Sequence, residues 1–183
     1  RQGPLEIQPT FLAAHAIPAN FGDRPDAYVQ QICTQMLPDL KSWWGQNASG
    51  RPLPFVDVFC EKGAFSLEQT SLIFTTAREM GFPLKVHADE FENLGGARLA
   101  IELGAVSADH LVKTSPEEVR LFGSSATVAV SLPLTPFGLN EPEYTPAKEI
   151  ISAGGLLALA SDLNPGTAWC GNMQFVIALA CRA

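Results

Sequence analysis

The stretch "LKVHADEF", residues 84–91, begins as an apolar run and closes on a histidine, an aspartate and a glutamate packed into four positions. Unpaired polar groups are costly in a buried strand, so such a set sits at a strand's wet end or holds something. A period of two places Lys85, His87 and Asp89 on one face, opposite Leu84, Val86 and Ala88. The same parity in "LLALASD" sets Ala158, Ala160 and Asp162 against Leu157, Leu159 and Ser161. One face is branched and apolar, as helices would cover it; the other narrows to small or polar groups, like a barrel interior near its mouth.

Six such runs read as buried strands: 10–16, 55–60, 84–89, 107–112, 126–133 and 156–162. Between them lie helix signals. Ser66-Leu67-Glu68-Gln69 and Ser115-Pro116-Glu117-Glu118 each fit a capping box, and Thr145-Pro146 opens a further helix. Gly81, Gly104 and Gly154 stand where left-handed C-caps would fall. Strict alternation implies parallel strands with helical crossovers, hence a doubly wound sheet or a (β/α) barrel. No G-x-G-x-x-G or G-x-x-x-x-G-K-[ST] follows the first strand, which favours the barrel. Segment 41–54, "KSWWGQNASGRPLP", reads as the one long loop.

Composition narrows the partners. The chain has 183 residues, 46% of them apolar and 17% charged, enough for one domain with a sizeable core. A net charge of −7 without any basic run argues against nucleic acid. No apolar run reaches the ~18–20 residues of a membrane span, and "GGLLALA" and "MQFVIALAC" read as core. Four cysteines without C-x-x-C spacing, mostly inside apolar runs, suggest buried thiols in a reducing compartment, the cytoplasm. The chain starts at Arg1, without an initiator methionine or signal peptide, and ends in an apolar helical run without a C-cap glycine. Such ends are expected of a piece of something longer.

The three histidines, His15, His87 and His110, all fall at or near the C-terminal ends of expected strands, and Asp162 ends another. Barrel active sites are built from those ends, so the four groups would converge on one mouth. Imidazole and carboxylate suit Zn²⁺ or Fe²⁺, and a carboxylate beside a polarised water can take its proton, a role for Asp162. Glu90 can join only if the strand stops near Asp89 and the chain turns inward, which is the expectation. The plain readings stand beside these. Any one strand-end histidine is commonly just hydrogen-bonded, "DLNPG" is also good turn chemistry for Asp162 and Asn164, and Cys60 suits a packed thiol. Lys85 is expected to pair with Asp57 or Glu61 on the neighbouring strand.

"TFLAAHAIP", "DVFCEKGAFS", "LKVHADEF", "GAVSADHL", "ATVAVSLPLTPF" and "ALASDLNPGT" together resemble imidazolonepropionase, an amidohydrolase-superfamily enzyme of histidine degradation. The resemblance covers essentially the whole chain, with "KVHADE" and "SDLNPGT" its most specific strings. It implies a metal-dependent (β/α)₈ barrel that opens the lactam of 4-imidazolone-5-propanoate to N-formimidoyl-L-glutamate. It also implies roles. His87 and Asp162 would be metal ligands, with Asp162 also the base; His110 would polarise or position the reacting group; Glu90 would contact substrate and water. His15 would hold the substrate, and Asn164, Gly166 and Thr167 would form a loop contacting substrate or product.

The family's His-x-His pair on the first strand, an arginine shortly after it and a later tyrosine would all precede Arg1. Residues 1–183 are therefore expected to be a single catalytic-barrel piece, strands three to eight, without the accessory β-sandwich. About six of eight strand-helix units would be present. An open arc exposes edge strands and half-covered faces, which favours association, and a homodimer is one outcome left open. The expected partner is a small-molecule substrate. Isolated, the stretch is expected to be inactive, and the alternatives are a related deaminase or cyclic-amidine hydrolase, or a non-catalytic relative.

Overall fold

The structure, a computed structural model, describes residues 6–182. Six strands, β1 (Thr10–Ala14), β2 (Phe55–Cys60), β3 (Leu84–Ala88), β4 (Ser107–His110), β5 (Val128–Ser131) and β6 (Leu157–Leu159), form one sheet in chain order. Every neighbouring pair is parallel. Sequential parallel order with helical crossovers is the wall of a (β/α) barrel, which closes at eight strands. Here it is a six-stranded arc whose first and last strands each pair on one side.

The helices are α1 (Pro25–Gln31), α2 (Leu37–Asn47), α3 (Leu67–Glu79), α4 (Gly96–Glu102), α5 (Pro116–Phe122), α6 (Leu134–Leu139), α7 (Ala147–Ser152) and α8 (Met173–Arg182), of which α3 and α4 pack on the outer face of the sheet. The expected capping boxes at Ser66 and Ser115 are both formed, each serine accepting the N–H three residues on. Gly81, Gly104 and Gly154 have φ of 84°, 69° and 89°, the left-handed geometry expected of them. At 145–146 the outcome differs. α7 begins at Ala147, Pro146 caps it, and the Thr145 hydroxyl donates instead to the carbonyl of His110 at 2.6 Å.

Segment 41–54 is not one loop, because α2 runs through Asn47. α1 and α2 are joined by a π-helical turn, Ile32–Met36, in which the Leu37 N–H reaches the Ile32 carbonyl. Pro38 supplies the reason: it has no N–H for the carbonyl four residues back, and its ring would strike that carbonyl, so the turn widens.

Val56, Val58, Cys60, Leu84, Val86 and Ala88 face the helices and are buried against Ile73, Phe74 and Ala77 of α3 and Ala97 and Ala100 of α4. Full burial of each large side chain there contributes about 1.5–3 kcal/mol. α4 starts almost on the sheet, since a Cβ on Gly96 would lie 2.8 Å from the Ala88 Cβ and 3.1 Å from the Cys60 sulfur.

The C-terminal apolar runs are not core. In α8 only Val176 is buried, while Ile177 is 50% exposed, and all three β6 residues are half-buried. β6 pairs only with β5, which leaves these segments little to pack against. The cysteines divide likewise: Cys33 and Cys60 are buried, Cys170 is half-buried and Cys181 is exposed. No helix among the described residues is long and apolar enough to cross a membrane.

Candidate metal centre at the strand ends

The strands stop early, and how they stop makes the site. β3 ends at Ala88, and Asp89 takes a φ of 56°. That reverses the expected parity: Asp89 is fully buried away from the mouth, accepting the Thr114 hydroxyl at 2.7 Å, and does not share the face of His87. The turn brings Glu90 to His110, Oε2 to Nε2 at 3.6 Å. Glu61 clamps this turn by accepting the N–H groups of Phe91 at 3.0 Å and Glu92 at 3.1 Å.

His110 closes β4 with a φ of 77°, followed by Leu111 at 60°. Its register partner is Ala88, which faces the helices, yet its ring lies 5.2 Å from that of His87. Left-handed backbone in non-glycine residues costs of order 1–3 kcal/mol each and concentrates at functional sites. Asp162, at φ 50°, is a third case; it stands three residues past β6 and reaches the cluster from a loop.

His87, His110 and Asp162 each offer one ligand atom, and these atoms lie within 4.8 Å of one another. Among the described residues the buried Nδ1 of His110 has no hydrogen-bond partner. Two imidazoles and a carboxylate form a donor set that zinc or ferrous iron accepts, so the residues fit such an ion. His15, Asp57 and His87 meet the same distance test. There, however, Asp57 Oδ1 sits 3.0 Å from His87 Nδ1, a hydrogen bond rather than a gap for a cation.

Asp57 was not singled out as a site residue from the sequence. The signal was an acid at an inward position of an otherwise apolar strand. The same stagger explains the partner of Lys85, which is Asp109 at 2.9 Å and neither Asp57 nor Glu61. Asp57 is in register with Lys85, and Lys85 with Ser107. In both cases the contact goes to the residue two further along the next strand: Asp57 to His87, Lys85 to Asp109. Strand tilt in a barrel moves side-chain contacts along this diagonal.

Asp162 has its own unforeseen partner, Thr135 of α6, whose hydroxyl donates to Oδ2 at 2.6 Å. Asn164 organises the following loop: its Oδ1 accepts the N–H groups of Gly166 and Thr167, and its Nδ2 donates to the Asp162 carbonyl and the Thr167 hydroxyl. These groups are thus occupied in shaping the loop beside Asp162. His15 lies one residue beyond β1, its Nε2 3.3 Å from Asp57 and its ring 4.7 Å from that of His87; it joins the cluster through Asp57.

Burial works against the charged forms of Asp57, His87, His110 and Glu90, and the neighbours decide the balance. Asp57 is desolvated, yet the hydrogen bond to His87 and the nearness of the His15 and His87 rings outweigh this and hold its carboxyl well below the usual range. His87 is desolvated too, but Asp57 raises its pKa. Burial, reinforced by His87, pushes His110 down to about 3, so it stays neutral. Burial, then the charge of Asp162, pushes Glu90 up to about 7. An acid poised near neutrality beside a neutral imidazole suits proton transfer. The Cys60 thiol, pushed up to about 11 by burial, is inert packing.

The fold is of the TIM-barrel class, represented here by six strand-helix units with a cluster of histidines and acids at the ends of the strands. Solved structures agree on the fold. An adenosine deaminase from Xanthomonas campestris with bound zinc matches 92% of this chain and 40% of its own, with TM-score 0.67 and 18% identity. A guanine deaminase from C. acetobutylicum with bound guanine matches 94% and 43%, with TM-score 0.68 and 16% identity.

In sequence the resemblance is specifically to imidazolonepropionases, and it runs along almost the whole chain. The chain is 51% identical to that of Herpetosiphon aurantiacus over 98% of its length, 44% to that of Chloroflexus aggregans over 98%, and 39% to that of Streptococcus gordonii over 99%. It spans 42%, 42% and 56% of those relatives' lengths. No family model matches it.

Proposed function

We propose that this chain is the catalytic wall of a metal-dependent hydrolase that opens the cyclic amide of 4-imidazolone-5-propanoate to N-formimidoyl-L-glutamate, a step of histidine degradation. The observation that carries the proposal is the meeting of His87 from β3, His110 from the end of β4 and Asp162 from the loop after β6, with Glu90 turned in beside them. The relatives named imidazolonepropionase and the zinc in the adenosine deaminase structure support it.

His87 and Asp162 would hold zinc or ferrous iron, with His110 in reach. Such an ion supplies Lewis acidity, bringing the pKa of a water down to about 7. Asp162, aimed by Thr135, takes a proton from the attacking water. Water adds to the ring carbonyl carbon, the adjacent C–N bond breaks, and the departing nitrogen receives a proton. Glu90, whose pKa burial raises toward neutrality, is placed to carry protons between water and ring. Neutral His110 offers an N–H toward the reacting oxygen. His15 stands where it can hold the substrate, and the Asn164–Thr167 loop shapes the wall beside Asp162.

The test is turnover by the intact polypeptide that carries this sequence, assayed on imidazolone propanoate with a cytosine-like ring as comparator. Ring opening of the first alone is expected, with Asp162→Asn lowering kcat by about 10²–10⁴-fold. Preference for the cytosine-like ring would favour a deaminase, and the 183-residue stretch by itself is expected to be inactive. Metal-dependent turnover by that stretch would contradict the reading that further barrel strands complete the site.

A further inference from the structure

Asp57 has no part in the reaction as derived above, yet it is the most constrained acid near the cluster. It is 1% exposed and lies on the inner face of β2. Its register partner Lys85 goes to Asp109, so among the described residues no lysine or arginine pairs with it. Its contacts are imidazoles: His87 Nδ1 at 3.0 Å and His15 Nε2 at 3.3 Å, with the two rings edge to face at 4.7 Å. Its other oxygen, Oδ2, is buried without a hydrogen-bond partner. A buried carboxylate without a basic partner costs stability, and its partnership with two histidines needs an explanation.

We propose that Asp57 is a positioning residue: its carboxylate fixes the tautomer and orientation of His87 and braces His15 against the same ring. Retention of the metal and placement of the substrate-side histidine then depend on one buried group. The inference rests on the metal-centre reading above. An ionised carboxylate only accepts hydrogen bonds, so the hydrogen of a neutral His87 must sit on Nδ1. That leaves the Nε2 lone pair for the cation that His87 and Asp162 would hold. Carboxylate partners of ligating histidines act this way in metal sites generally, and losing one lowers metal affinity about 10–100-fold. Asparagine keeps the shape but can turn its NH₂ toward Nδ1 and stabilise the wrong tautomer.

The experiment uses the intact polypeptide, with Co²⁺ as the probe and a competing chelator to measure affinity. Asp57→Asn is expected to bind Co²⁺ about 10–100-fold more weakly, with altered d–d absorption and unchanged near-UV circular dichroism. On the unsubstituted, metal-free protein, at a pH high enough to leave His87 neutral despite the pull of Asp57, long-range ¹H–¹⁵N spectra are expected to show its hydrogen on Nδ1. In Asp57→Asn the ring signals of His15 should move together with those of His87. The Nε2–H tautomer in the unsubstituted protein would overturn the proposal even if the variant failed to fold. Equal Co²⁺ affinity in both proteins would overturn this inference alone. An unsubstituted protein that binds no Co²⁺ would overturn the metal-centre reading and this inference with it.

Discussion

β2–β4 and the β6–α8 end of the chain both carry apolar runs, yet only the first buries most of what it carries. Around β3, strands lie on both sides and α3 and α4 lie above, so Val86 and Phe74 are fully buried and the acids beneath them find histidines and a lysine. Around β6 there is one neighbouring strand, and α8 leaves Phe175 38% and Ile177 50% exposed. Periodicity reports which face a segment could bury; whether it does depends on what stands opposite. The candidate site straddles this divide, taking His87 and His110 from the packed half and Asp162 from the open one.

The largest effect should come from the packed half. Phe74→Ala removes a fully buried ring from the sheet-facing side of α3 and is expected to cost about 3–5 kcal/mol of stability, read by chemical denaturation of the intact polypeptide. A loss under about 1 kcal/mol would mean that this face can collapse around the cavity, and the contrast between the two halves would break.

A pH measurement sharpens the contrast at the junction of the halves. Glu90 sits at about 7 when folded, against 4.5 ordinarily, so between those values the native state holds more of a proton than the unfolded chain does. Its contribution is complete below the unfolded value and is lost as pH rises toward 7, with a slope of at most about 1.4 kcal/mol per pH unit. With metal removed by a chelator, Glu90→Gln should lose less stability than the parent across that window. Identical pH curves would show that the Glu90 carboxylate is solvated and does not face Asp162.

Much of the packed half was legible in the sequence, for local reasons. All six strands and their order follow from apolar runs alternating with capping boxes and C-cap glycines, signals that act over a few residues. What escaped was non-local. Lys85 finds Asp109 because tilted strands meet on a diagonal, which pairing by neighbouring strand cannot show. Asp89 left the face of His87 because its backbone turns left-handed, at a residue that alternation treats as strand. α2 was hidden within 41–54 because Gly45, Asn47 and the turn-rich residues after them resemble loop. Of the site, the titratable strand-end groups could be named from sequence, whereas Asp57, Thr135 and Glu61 required the positions of neighbouring elements.

The smallest expected effect tests the open half. Ile177 of α8 is 50% exposed, so Ile177→Ala should change stability by less than about 0.5 kcal/mol, the usual scale for a surface position. The curated relatives extend well beyond the length this chain spans. If polypeptide outside residues 1–183 packs against α8, the same substitution in the intact protein would instead cost about 2–5 kcal/mol, as for a buried isoleucine. Hydrogen exchange of the α8 amides supplies an independent reading. Slow exchange matching α3 would mean the apolar face has found its cover, and the two halves would then differ in where their partners come from rather than in how well they pack.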